Sequence, residues 1–140
     1  MMPIPRFWRE IKQRYKGIGS RCKNCGVIYF PPRKICPECR RESFQNMEEY
    51  ELEGKGEVVT FTEIHEPHPE FEMLTPYIMA IVEMEEGVRL TGHLVNVEMG
   101  DVEPGMKVEA TMRKLGEESS KGLIYYGYKF WPLESKKNDD

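Results

Sequence analysis

Cys22-Lys23-Asn24-Cys25-Gly26 and Cys36-Pro37-Glu38-Cys39-Arg40, two turns separated by ten residues, decide how the N-terminal part of this 140-residue chain folds. Each Cys-x-x-Cys pair carries two sulfurs to one side of a tight knuckle. Two such knuckles complete a tetrahedron of thiolates, the coordination zinc takes at about 2.3 Å per sulfur. Gly26 suits the first knuckle because backbone amides there must fold back toward sulfur, often with a positive φ that glycine permits, and Pro37 stiffens the second. All four cysteines of the chain, Cys22, Cys25, Cys36 and Cys39, are used. No thiol is left to act as a nucleophile and no coordination position is left for a metal-activated water, so the expected site is structural. Zinc is the expected ion; four thiolates also suit iron in a rubredoxin-like centre, and iron is the alternative.

Around the knuckles the segment 18–47 reads as a metal ribbon, with a short strand over 27–30 closed by Pro31-Pro32. Upstream, Phe7, Trp8, Ile11 and Tyr15 recur at a spacing that places them on one stripe of a helix, with Arg9, Lys12 and Lys16 on another face. Residues 1–17 are therefore expected to form one short amphipathic helix ending at Gly17 and Gly19. A helix of that length is marginal alone, so its aromatic stripe must dock on the chain or on a partner.

From residue 48 the pattern changes to short alternating stretches over 56–66, 77–84, 88–97, 107–114 and 124–131. Turn residues separate them, and five strands without a strong helical period between them point to a small barrel of the OB type over 48–135. Residues 66–76, with Pro67, Pro69 and Pro76, read as an exposed loop, and 136–140 as a frayed polar tail. The fold expected is thus mainly β: an N-terminal helix, a zinc ribbon and a five-stranded OB-fold barrel.

No stretch has the roughly 20 apolar residues of a membrane helix, and the first eleven residues lack the apolar centre of a secretory signal, so a cytoplasmic location is expected. Reduced thiols in that compartment agree with metal rather than disulfides. The formal charge of −4 hides an asymmetry: residues 1–47 hold eleven Lys or Arg against three Glu, residues 48–140 nine against twenty-one acidic residues. A basic pole of this kind attracts phosphates, nucleic acid or an acidic protein face.

Little else resembles a reaction centre. His65 and His68 lie near Glu63, Glu66 and Glu70, but Pro67 and Pro69 deny them the helical spacing of zinc hydrolases. His93 falls within an alternating strand. Phosphate loops, serine elbows and paired dinucleotide glycines are missing, and no enzyme is expected.

The ordered set of motifs resembles domain-of-unknown-function family thirty-five, archaeal and bacterial proteins that join a rubredoxin-like zinc ribbon to an OB-fold. The likeness rests on the two knuckles, Tyr29-Phe30-Pro31-Pro32-Arg33, Gly54-Lys55-Gly56-Glu57-Val58 and Pro76-Tyr77-Ile78-Met79-Ala80 followed by Gly87, spread over most of residues 5–132. The resemblance implies a non-catalytic subunit of an acyl-CoA enzyme complex. It points to the small archaeal subunit that bridges acetoacetyl-CoA thiolase and HMG-CoA synthase in a hetero-oligomer of the mevalonate route, with CoA only as a ligand shared with those enzymes. Phe7, Trp8, Tyr29, Phe30, Arg33 and Lys34 are the residues expected at the partner or CoA surface, joined by loop 66–76. A competing reading is a nucleic-acid-binding ribbon and OB-fold, with Tyr125, Tyr126 and Tyr128 stacking on bases. The −12 formal charge of the barrel half opposes it, since a groove that follows phosphates needs the other sign. An electron-transfer iron centre is a third reading, which leaves the barrel without a purpose.

Overall fold

The computed structural model describes residues 4–117 and 124–133, which fall into two compact units. The first comprises residues up to Glu53 together with Glu86–Val88; the second is Gly54–Glu85 and the chain from Arg89 onward.

In the first unit the N-terminal segment is two helical turns, α1 (Ile4–Arg9) and α2 (Ile11–Lys16), rather than one continuous helix. The break is at Glu10, where φ is −102° and ψ 9°. Its carboxylate takes Arg6 Nε at 3.1 Å on one side and Arg14 Nη2 at 2.6 Å on the other, so the side chain that ends α1 also clamps α2. Those bonds, Arg14 first, hold the Glu10 carboxyl below its ordinary range. Gly17 closes α2 in the left-handed conformation (φ 61°), as its position after the apolar stripe predicts. The break also splits the stripe. Phe7 is buried and meets the Tyr15 ring edge-on at 5.7 Å, while Trp8 turns outward and is 64% exposed.

The ribbon is a three-stranded antiparallel sheet in the order β2 (Ile28–Tyr29), β1 (Ile18–Cys22), β3 (Met47–Glu51). Strand β3 pairs along the whole of β1, from Ile18↔Glu51 to Cys22↔Met47, so the ribbon continues past the expected boundary at 47/48. The acidic run Glu48-Glu49 is held there by charge: Arg21 Nε donates to Glu48 at 2.6 Å and Lys12 Nζ to Glu49 at 2.9 Å. The unit's buried residues are few, chiefly Phe7, Ser20, Cys22, Cys36, Ser43 and Leu52. So small an interior cannot by itself offset the ordering of about 50 residues, which is why segments of this kind depend on metal.

The second unit is a closed barrel of β4 (Lys55–Ile64), β5 (Tyr77–Met84), β6 (Arg89–Leu94), β7 (Lys107–Glu117) and β8 (Ile124–Pro132), in the order β4-β5-β6-β8-β7. Neighbours are antiparallel except β6 and β8, whose parallel contact at Leu94↔Phe130 closes the barrel. Alternation is clear on β5, where Ile78, Ala80, Val82 and Met84 are buried. Val58, Leu90, Leu94, Val108 and Phe130 complete the core. Strand β4 pairs with β5 from Gly56 to Ile64, with a bulge at Val58/Thr60 that bends it, and its start at Lys55–Glu57 also pairs with β7. Gly92 has to be glycine for a packing reason: a Cβ there would lie 2.7 Å from the Phe130 ring. The loop expected over 66–76 is present and contains a short 3-10 turn, Pro69–Leu74. The tail at 136–140 lies outside the described residues.

Candidate metal centre and its surroundings

The four sulfurs converge: the Sγ atoms of Cys22, Cys25, Cys36 and Cys39 lie within 4.8 Å of one another, and among the described residues no other set of three or more His, Cys, Asp or Glu side chains comes together in this way. Tetrahedral zinc with thiolates at about 2.3 Å needs sulfurs about 3.8 Å apart. Cys25 and Cys36 stand at 3.5 Å, so the cage has the size of the ion it would hold.

The two knuckles build this geometry in the same way. Gly26 N donates to Cys22 O at 2.8 Å, and Arg40 N donates to Cys36 O at 2.8 Å. The residue after each second cysteine takes a positive φ, 76° at Gly26 and 50° at Arg40. Glycine does this without steric cost; arginine does not, and its strain is held by the bonds around it. Ser43 supplies them, donating to Arg40 O at 2.5 Å and accepting Cys36 N at 2.8 Å while wholly buried. The sequence reading missed Ser43: a serine four residues past the last cysteine is unremarkable until the 3-10 turn Arg40–Ser43 folds it under the knuckle.

Electrostatics point to a cation. The Tyr29 hydroxyl lies 3.3 Å from Cys36 Sγ, and mainly through this bond the Cys36 thiol falls to about 6. The same bond pushes the Tyr29 hydroxyl up to about 12. Beside that thiolate, Cys25 is pushed up to about 12: the Val27 amide favours its thiolate, but desolvation and the neighbouring sulfurs outweigh it. The Cys39 thiol is likewise raised, because desolvation and Cys22 outweigh help from Asn24. The raised thiols of Cys25 and Cys39 beside the lowered Cys36 show that thiolates crowd one another here, a repulsion that a divalent cation would offset.

The expected surface residues divide. Tyr29 is half-buried and serves the metal site through its hydroxyl; its ring lies under the Arg33 guanidinium at 5.2 Å. Phe30 is half-buried, and Arg33 and Lys34 are exposed. Arg33 N donates to Ser20 Oγ at 2.8 Å, which fixes the backbone that presents both cations. The same unit exposes Val27, Ile35 and Phe44. Phe7 is enclosed within its own unit and therefore does not offer a surface, unlike Trp8. His65 stands in solvent, 69% exposed, with Nε2 3.2 Å from Glu63 Oε2. Tyr128 is half-buried and packs on Phe130 at 5.8 Å, Tyr126 is exposed, and the side chain of Tyr125 lies outside the described set. No helix of the described residues is long and apolar enough to cross a membrane.

Two family models match the chain: the rubredoxin-like zinc ribbon domain of ChsH2 over residues 9–45 and the C-terminal OB-fold domain of ChsH2 over 49–113. A DUF35 domain-containing scaffold protein of Methanocaldococcus jannaschii is 50% identical over 94% of this chain and 92% of its own length. The benzoylsuccinyl-CoA thiolase subunit BbsA of Thauera aromatica is 29% identical over 80% of this chain and 73% of its own. Among solved structures, a chain of the Ltp2-ChsH2(DUF35) aldolase superposes with a TM-score of 0.67 at 30% identity, covering 90% of both chains.

Proposed function

Since this chain belongs to the DUF35 family of zinc ribbon and OB-fold proteins, we propose that it is the scaffold subunit that joins acetoacetyl-CoA thiolase to HMG-CoA synthase and completes a CoA-binding site shared between them. It is a non-catalytic accessory protein, as its relatives named scaffold proteins are. An acyl-CoA enzyme as partner follows from relatives that are thiolase subunits and from the aldolase assembly. The choice of thiolase and HMG-CoA synthase rests on the likeness of the motifs from Cys22 to Gly87. Acetoacetyl-CoA formation is uphill, and a common site would let the synthase draw the intermediate onward without its release into water.

The observation that carries this reading is the closed cage of four sulfurs with a basic and apolar surface around it. Four thiolates would leave a bound ion no open coordination position, so its work would be to hold the ribbon's shape. That shape presents Arg33, Lys34, Val27, Ile35 and Phe44 from one unit, which also exposes Trp8. Exposed aromatic and arginine residues are the usual anchors of an interface, and cations beside them suit an acidic enzyme face or the phosphates of CoA.

The double charge reversal Arg33→Glu and Lys34→Glu tests it. Co-purification with the thiolase from native cells should fall at least about tenfold while the metal content stays at one ion per chain, because losing two cations from a charged contact costs more than 1.4 kcal/mol. Undiminished co-purification would remove this surface from the interface.

A further inference from the structure

The barrel carries a second feature that a scaffold does not need. Tyr77 on β5, His93 on β6 and Lys129 on β8 are one residue away from the inward-pointing Ile78, Leu94 and Phe130, so strand alternation puts all three on the outer face. There they line a cavity of about 390 Å³, walled further by Leu74 and Val97. The Tyr77 and His93 rings stack at 4.5 Å with an interplanar angle of 29°, and the Phe71 ring meets His93 edge-on at 5.4 Å. Lys129 is only 6% exposed.

A buried lysine normally has an anion beside it, because an uncompensated charge out of water is expensive. Lys129 makes no ion pair or hydrogen bond among the described residues, and burial, then the Arg113 cation, lowers its pKa, so the site lacks the anion that would hold the ammonium charged. Two carboxylates line the same cavity, Glu63, which contacts His65 at 3.2 Å, and the exposed Glu98, but neither forms an ion pair with Lys129. His93 does not supply the missing charge either: an imidazole is neutral or cationic, and burial, then Lys129, lowers its pKa. The protein therefore leaves one ammonium facing an aromatic and aliphatic cavity without a counter-ion.

We propose that this cavity binds a small aliphatic carboxylate, with its head on the Lys129 ammonium and its tail along Tyr77, Leu74 and Val97. A monoanion matches a single ammonium. A dianionic phosphate would leave excess negative charge between Glu63 and Glu98, and a neutral ligand would leave Lys129 as it is. Aromatic and aliphatic walls with one fixed charge are the usual composition of a site for a small organic acid.

Sodium octanoate titrated into the full metal-loaded chain tests the proposal, with 1-octanol and inorganic phosphate as the comparison probes. Octanoate should bind saturably and shift the amide resonances of Tyr77, His93 and Lys129. Octanol should bind at least about tenfold more weakly, as should octanoate to the Lys129→Met variant, since each comparison removes one charged hydrogen bond. That variant should melt no lower than wild type, because it removes a buried charge that has no partner. Absence of saturable octanoate binding, shifts centred elsewhere, or equal affinity for octanoate and octanol would overturn the assignment. So would phosphate displacing octanoate at lower concentration. Were Lys129→Met not to fold, the octanoate-to-octanol ratio on the wild-type chain decides by itself.

Discussion

At the scale of single residues, Tyr29 shows how the ribbon's packing and its chemistry are one arrangement. Its hydroxyl 3.3 Å from Cys36 Sγ stabilises the thiolate that metal binding requires, so it acts through the ligand rather than on the ion. Tyr29→Phe should keep the fold and one metal per chain but weaken the ion's hold by about tenfold, the lower end of the usual range for such outer contacts. Competition against a chromophoric chelator measures this, and an unchanged exchange curve would mean the hydroxyl is only a space-filler. His93 makes a prediction in pH. Burial, then Lys129, depresses its pKa below 6.5, so the unfolded chain takes up the proton first as pH falls. Its contribution to stability is complete above the unfolded value and declines as pH drops through it, levelling below the folded value. His93→Gln should accordingly flatten the loss of thermal midpoint between about pH 7.5 and about pH 5.5, the span that brackets imidazole titration. The cavity's other titratable groups, Glu63, Glu98 and Lys129, remain in both proteins. Parallel slopes for the two would show that His93 does not titrate in that window.

At the scale of elements, the two aromatic residues next to each other on α1 have opposite tasks. Phe7 is inside its unit and Trp8 outside. Phe7→Ala should destabilise the first unit by on the order of 3 kcal/mol, read as a lower denaturant midpoint of its unfolding, because a buried ring leaves a cavity. Trp8→Ala should leave that midpoint within the small range of surface changes and instead lower partner affinity. Reversal of the two outcomes would exchange their roles. The sequence could not separate them, since periodicity gives the angle of a side chain about an unbroken helix and the break at Glu10 arises from bonds to Arg6 and Arg14. Two of the ribbon's three strands were hidden for a similar reason. Strands β1 and β3 contain Gly19, Arg21, Glu48 and Glu49 and lack apolar alternation, so backbone pairing and cross-strand charge define them. Barrel strands were legible because a real core enforces period two, and β5 was found with its bounds at 77–84. The knuckles were legible for the strongest reason of all, since four ligands at fixed spacing have few other uses. Ser43 was not, because its role depends on the local 3-10 turn that folds it under the knuckle, nor was the Lys129 cavity, because it depends on residues distant in the chain meeting in space.

At the scale of the whole molecule, the division of labour follows from charge and composition. A basic ribbon with a small interior is shaped by one closed metal site, and an acidic barrel is shaped by its hydrophobic core. The accessory, non-catalytic role rests on the relatives named scaffold proteins. The most direct test of bridging is reconstitution from three purified components: this chain, acetoacetyl-CoA thiolase and HMG-CoA synthase, followed by light scattering on a sizing column. The account predicts a ternary species that forms only when the metal-loaded chain is present and that separates into free enzymes when Arg33 and Lys34 are reversed in charge. Association of the two enzymes without this chain, or their separate elution in its presence, would contradict it.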